Sequence, residues 1–138
     1  TRNEFQVTDA FQTMVDEGAD LGTFVVKKWY DCGTREALLL TNREMLEGRD
    51  VPEARDNVVV VPPAHIDPTA VVSHSVIGPH ASVGAGARVR QSVIRNSIVG
   101  EEAVVENIVL EDSIIGFQAA VKGRPSNLSV GDLSQITS

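Results

Sequence analysis

From Val58 onward, one aliphatic residue falls every five or six positions. The series reads Ile66, Val72, Ile77, Val83, Val89, Ile94, Val99, Val105, Leu110, Ile115, Val121. This rhythm is neither the 3.6-residue period of a helix nor the alternation of a half-buried strand. It predicts a coil with three short sides, each a strand of a few residues with its aliphatic side chain turned inward. Small residues stand where the chain must bend tightly. The repeat is also visible directly: Val83-Gly84, Val99-Gly100 and Ile115-Gly116 recur at a spacing of 16, as do Ala87-x-Val89, Ala103-x-Val105 and Ala119-x-Val121. One turn earlier, Ile66-Asp67-Pro68-Thr69-Ala70 matches Val83-Gly84-Ala85-Gly86-Ala87 at a spacing of 17. Self-similarity at a fixed period marks a solenoid, here of about four turns, and makes the chain mainly β.

The first 50 residues follow different rules. Thr8 is expected to cap a helix of about nine residues that stops at Gly18. Gly22 to Tyr30 is rich in β-formers and predicts a strand. Gly33-Thr34 opens a second helix, expected from Arg35 to about Glu47 and ended by Gly48. On it Leu38 pairs with Met45 and Leu39 with Leu46 on one face, which Thr41 and Asn42 interrupt. Residues 51–64, with Pro52, Pro62 and Pro63, read as a linker into the coils at 65–138. An isolated α-β-α piece of this size cannot easily make a core. It is expected to be the tail of a larger domain, and the start at Thr1 rather than methionine points the same way.

Composition sharpens the division. Five of six aromatics precede residue 50, whereas all eight isoleucines lie between Ile66 and Ile136. A narrow prism has no room for aromatic rings, and β-branched residues stack as ladders between coils. Twelve basic and 19 acidic residues give a net charge of −7. That balance excludes the basic stripe needed for nucleic acid or an anionic membrane. No run of about 18 apolar residues offers a membrane span, and no leader-like segment opens the sequence. The single cysteine, Cys32, forms no internal disulfide and suits a reducing compartment, so a cytoplasmic location is expected.

The coil pattern over about 58–136 resembles the hexapeptide repeat of left-handed parallel β-helices. The handedness is implied by that resemblance alone, since crossovers of this hand are rare. Further upstream, Glu4-Phe5-Gln6-Val7-Thr8-Asp9-Ala10 and Trp29-Tyr30-Asp31-Cys32-Gly33-Thr34 resemble two motifs of the sugar-1-phosphate nucleotidyltransferase family, E-[YFL]-x-[LIV]-T-D-A and W-x-D-x-G-T. The second closes that family's catalytic domain, and many members continue into a β-helix. Residues 1–50 then stand as the remnant of a Rossmann-like catalytic domain.

The resemblance implies a reaction in which a sugar 1-phosphate attacks the α-phosphate of a nucleoside triphosphate, releasing pyrophosphate. It implies Mg²⁺ in the full-length parent, with Asp31 as one carboxylate ligand, because Mg²⁺ prefers hard oxygens. It implies that Glu4 accepts hydrogen bonds from sugar hydroxyls and that Trp29, Gly33 and Thr34 shape the loop presenting Asp31. The family's glycine-rich triphosphate loop, G-x-G-[ST]-R-[LM]-x-P-x-T, has no match in the sequence. The chain alone is therefore expected to be inactive and to need no cofactor. The β-helix is expected to serve oligomerisation or regulation, with a homotrimer ahead of a dimer.

Two other readings stay open. Hexapeptide β-helices include acyltransferases with a histidine base, for which His80 in Gly78-Pro79-His80-Ala81 is the candidate. His65, His74 and His80 together raise a zinc site, although all three fall within about one coil. The other alternative is a non-catalytic assembly module. Cys32 reads as a small turn residue with no adjacent basic group to lower its pKa. Pro125 and the polar tail 134–138 are expected to cap the last coil.

Overall fold

The computed structural model describes residues 6–53 and 55–123. Two helices come first, α1 (Val7–Asp16) and α2 (Arg35–Leu46). Twelve short strands follow. The first coil holds β1 (Val58–Val60), β2 (Ala64–Ile66) and β3 (Val71–Ser73). The second holds β4 (Ser75–Ile77), β5 (Ala81–Val83) and β6 (Arg88–Arg90). The third holds β7 (Val93–Arg95), β8 (Ile98–Val99) and β9 (Val104–Glu106). The fourth holds β10 (Val109–Glu111), β11 (Ile114–Ile115) and β12 (Ala120–Lys122).

Every third strand pairs in parallel, so the chain builds three four-stranded sheets: β1-β4-β7-β10, β2-β5-β8-β11 and β3-β6-β9-β12. The result is a parallel β-solenoid of four turns, as the repeat predicts. Its register aligns the aliphatic series into three inward columns. Val60, Ile77, Ile94 and Leu110 form one; Ile66, Val83, Val99 and Ile115 a second; Val72, Val89, Val105 and Val121 a third. Those from Ile66 to Leu110 are buried in a single core. Full burial of one such side chain contributes about 1.5–3 kcal/mol.

The corners explain the remaining repeat positions. Asn57, His74, Gln91 and Asn107 all have φ between 48° and 60°, and each stands just before a strand of the first sheet. His80, Asn96 and Asp112 take the same left-handed conformation before the second sheet, with φ between 40° and 57°, and Gly86, Glu102 and Gln118 before the third, with φ between 53° and 64°. Asn and Asp visit this left-handed region more easily than bulky residues do, because their short side chains bond locally. Serines tie successive coils: Ser75 Oγ accepts from Ser92 N (3.1 Å), Ser92 Oγ from Ile108 N (3.3 Å) and Ser97 Oγ from Ser113 N (3.0 Å). At the start of the solenoid Arg55 donates to Ala70 O (2.6 Å) and Asp67 O (3.2 Å), occupying carbonyls of the first coil.

Several expectations need correction. The solenoid begins at Val58, so β1 and the first residue of β2 lie inside the segment read as linker, 51–64. Prolines at 62 and 63 made that segment look structureless, yet they sit at a corner between strands. The β-rich run Gly22 to Tyr30 forms no strand. A strand needs a partner for its backbone groups, and none is present among the described residues. Phe24 and Val25 are left 86% and 95% exposed. Helix α1 is capped at Gln6, not Thr8: the Gln6 carbonyl accepts from Asp9 N and Ala10 N at 3.0 and 3.4 Å, which opens the helix before Thr8. On α2 only Leu39 and Leu46 are buried, while Leu38 and Met45 are exposed. Pro125 and residues 134–138, expected as a cap, lie outside the described residues. Among the described residues no helix is long and apolar enough to cross a membrane.

Candidate functional site

The segment from Lys28 to Thr34 is held against α2 by short polar contacts. Asp31 Oδ1 accepts from Gly33 N (3.0 Å), closing a tight turn. A Cβ at Gly33 would lie 3.1 Å from that oxygen, so glycine keeps the turn compact. Thr34 Oγ1 accepts from Ala37 N (3.1 Å) and caps α2. This satisfies one of the orphan N–H groups at the helix start. The D-x-G-T spacing thus has a local physical meaning: turn first, cap next, helix after. Cys32 Sγ contacts Thr41 Oγ1, nine residues further on, at 3.7 Å.

A second anchor lies beside the first. Lys28 Nζ and Tyr30 Oη both donate to Glu44 Oε2, at 3.1 and 2.9 Å. Hydrogen bonding to Lys28, then to Tyr30, holds the Glu44 carboxyl below the usual carboxylate range, and the same bond to Glu44 raises the Lys28 ammonium. Together with Trp29, Asp31, Ala37, Leu40 and Thr41 these residues line an open groove of about 440 Å³. Trp29 itself is 77% exposed and forms part of the rim rather than of a core.

The anchor has a pH window whose limits follow from the signs of both shifts. Glu44, with its pKa depressed, contributes above its unfolded value and loses the contribution as pH falls through the folded one. Lys28, with its pKa raised, contributes below its unfolded value and loses it as pH rises through the folded one. Amide exchange across residues 28–34 is expected to be slowest between roughly pH 5 and 10, after correction for intrinsic exchange. Glu44→Gln is expected to flatten the acid side of that profile. An unchanged profile in the variant contradicts this assignment.

Helix α2 connects this loop to the solenoid. Asn42 Nδ2 donates to His80 O (3.2 Å), Ser82 Oγ donates to Asn42 Oδ1 (2.6 Å) and Arg43 Nε donates to Asn96 Oδ1 (3.0 Å). Asn96 also bonds Asp112 on the next coil. The two polar residues that seemed to spoil the apolar face of α2 are therefore its working contacts: Asn42 grips the solenoid and Thr41 faces the loop. Glu44 was missed by sequence reasoning, and Asn42 was noted on the helix without a contact being assigned to it. The break in the apolar pattern could have flagged Asn42, but nothing local flags Glu44, whose partner is 16 residues away.

Glu4 lies outside the described residues. Asp31, Trp29, Gly33 and Thr34 come together in the loop just described. His80 is elsewhere, at a corner with φ 57°, its N–H donating to Pro63 O (2.6 Å) and its carbonyl taken by Asn42. His74 occupies a different corner, and His65 sits on β2 beside Ser82. Among the described residues no group of three or more His, Cys, Asp or Glu side chains gathers as a metal site. Asp31 offers a hard oxygen of the right chemistry for Mg²⁺, without a cage around it.

No protein-family model matches the chain. The chain is similar to glucose-1-phosphate thymidylyltransferase of Streptomyces antibioticus, with 31% identity over 119 residues covering 71% of this chain and 33% of that protein. The chain thus spans about a third of the length of the curated relative that it matches.

Proposed function

We propose, taking that similarity as the premise, that the chain is the C-terminal part of a sugar-1-phosphate nucleotidyltransferase, which joins a nucleoside triphosphate to a sugar 1-phosphate and releases pyrophosphate. One observation carries the reading: the match to a thymidylyltransferase extends over most of this chain, which also bears the W-x-D-x-G-T turn followed by a solenoid in the family's order. In such a reaction a phosphate oxygen of the sugar attacks the α-phosphorus and the bond to pyrophosphate breaks. The protein's share is positioning and charge neutralisation.

Within that reading the Lys28–Thr34 loop presents Asp31 at the edge of the catalytic domain. Mg²⁺ belongs to the full-length enzyme, where it would neutralise phosphate charge, and Asp31 would supply one of its oxygen ligands. The solenoid serves assembly into a homo-oligomer or regulation, and the cytoplasm is the expected compartment. The acyltransferase alternative would rest on the His80 imidazole, since the bonds at that corner use only the residue's backbone N–H and carbonyl.

The 138-residue chain, given glucose 1-phosphate, dTTP and Mg²⁺, is expected to release no pyrophosphate above background. The full-length gene product is expected to do so, and to lose about 100-fold or more with Asp31→Asn, since even outer-shell changes at metal sites cost 10–100-fold. Turnover by the short chain, or a full-length product inert with every nucleotide and sugar 1-phosphate tried, overturns the reading.

A further inference from the structure

We infer that Asn42 and Arg43 are positioning residues: they seat α2 on the second side of the solenoid and thereby fix where the Asp31 turn stands. The inference deepens the proposed function and rests on its reading of Asp31 as a metal ligand. It gives the solenoid a share in building the site, apart from any part in assembly or regulation.

Helix α2 carries two stripes. Ala37, Leu40, Thr41 and Glu44 line the groove beside the Lys28–Thr34 loop. Leu39 and Leu46 are buried, and with them go Asn42 and Arg43, which bond the solenoid. Each set follows the i, i+3, i+4, i+7 spacing of one helix face. The sets are offset by two residues, about 200° of rotation, so they lie on opposite sides of the helix. Helix α2 thus stands between the loop and the solenoid as a strut.

The solenoid face holds by two means. Apolar burial of Leu39 and Leu46 has no preferred direction, so it resists separation more than rotation or sliding. Asn42 supplies the direction. Its Nδ2 donates to His80 O (3.2 Å) and its Oδ1 accepts from Ser82 Oγ (2.6 Å), which fixes both ends of one amide. Arg43 Nε donates to Asn96 Oδ1 (3.0 Å), and Asn96 Nδ2 passes the link on to Asp112. His80, Asn96 and Asp112 occupy the same corner of the second, third and fourth coils. A slide of α2 along the stack by one coil would break every one of these bonds. Asparagine is a weak helix former, so its place within α2 is explained by what it grips.

The other two sides offer no such seat. On the third sheet Arg90 and Lys122 both pair with Glu106, at 3.4 and 3.2 Å. On the first sheet the register aligns Val59, Val76, Val93 and Val109 in an outward column whose side chains have no hydrogen-bonding group.

The contacts run on to Asp31. Glu44, next to Arg43 in the chain, holds Lys28 and Tyr30, and Thr34 caps the start of α2. Rotation of α2 on its seat would carry the turn between these anchors with it. A reacting group displaced by about 1 Å can lose about 100-fold in rate.

Residual dipolar couplings of the chain in a dilute aligning medium test the seat without any metal. In the wild type one alignment tensor is expected to fit residues 28–46 and 58–122 together. In Asn42→Ala, residues 28–46 are expected to need a separate and smaller tensor, while the couplings of 58–122 stay as they were. Ser82→Ala, which leaves α2 itself untouched, is the second variant should Asn42→Ala lose the helix, and is expected to act in the same direction. Ser82→Thr keeps the hydroxyl donor and is expected to restore the single tensor. In the full-length gene product Asn42→Ala is expected to lower kcat by about tenfold or more with both substrate KM values unchanged. Arg88→Ala, exposed on the third sheet, is expected to change nothing. One tensor that still fits both segments in Asn42→Ala and Ser82→Ala overturns the inference, as does a full kcat in Asn42→Ala where Asp31→Asn is inactive. Split tensors together with an active Asp31→Asn enzyme defeat the reading of Asp31 and leave the seat of α2 standing.

Discussion

Gly78→Ala is expected to destabilise the solenoid by about 3 kcal/mol or more and to lower its melting temperature by about 10 °C or more. Gly78 leaves β4 with φ +105°, a conformation that side-chain-bearing residues rarely adopt. A Cβ there would fall on the Val61 carbonyl oxygen and lie 2.9 Å from its carbon. Neither atom can yield, because both are backbone and Val61 N is itself bonded to Ile77 O at 2.8 Å. Gly78 N donates to Ile94 O (2.8 Å), so a shift of this corner would also loosen the third coil. Thermal unfolding followed by circular dichroism reads the effect. Gly22→Ala serves as the control, since a Cβ there meets nothing within 4 Å. Equal melting temperatures for Gly78→Ala and wild type would show that the coils can part at this corner without cost.

Ile94→Ala is expected to cost between about 2 and 5 kcal/mol. Ile94 is fully buried and stacks between Ile77 and Leu110 in the inward column of the first sheet. Truncation removes transfer free energy and leaves a cavity that two rigid ladders cannot close. Position in the stack adds a second consequence. Each coil touches only its neighbours, so weakening the third coil uncouples the fourth from the first two. Urea unfolding is expected to lose cooperativity as well as midpoint. Ile115→Ala, in the half-buried end of its column, is expected to cost less. If the two variants unfold alike, burial along the columns is not what orders their stability.

The solenoid was legible because its information is periodic. Each aliphatic residue of the series from Ile66 to Leu110 is buried, since a repeat of 16 or 17 residues brings chemically equal positions into register. The coil pattern was read from about Val58, but the linker bounds 51–64 overran the first coil, because Pro62 and Pro63 turn a corner here rather than open a linker. The D-x-G-T turn and the α2 cap were legible too, because Asp31, Gly33 and Thr34 act on backbone groups two or three residues away. The supposed strand from Gly22 to Tyr30 was not: propensity states what a segment favours, and pairing depends on a neighbour that the sequence of the segment does not contain.

By itself, the sequence determined the coil period, the identity of the core columns and the local geometry of the Asp31 turn. All three arise from interactions at fixed, short or repeating separations. Tertiary structure alone decided which side of the prism α2 covers, which side carries the Arg90–Glu106–Lys122 charges and which is left with the column from Val59 to Val109. It also decided that Glu44 reaches back to Lys28 and Tyr30, and that Asn42 spans to Ser82, 40 residues on. The reason is physical: inward and outward positions alternate along each short strand, but what an outward side chain meets depends on how distant segments fold over that face.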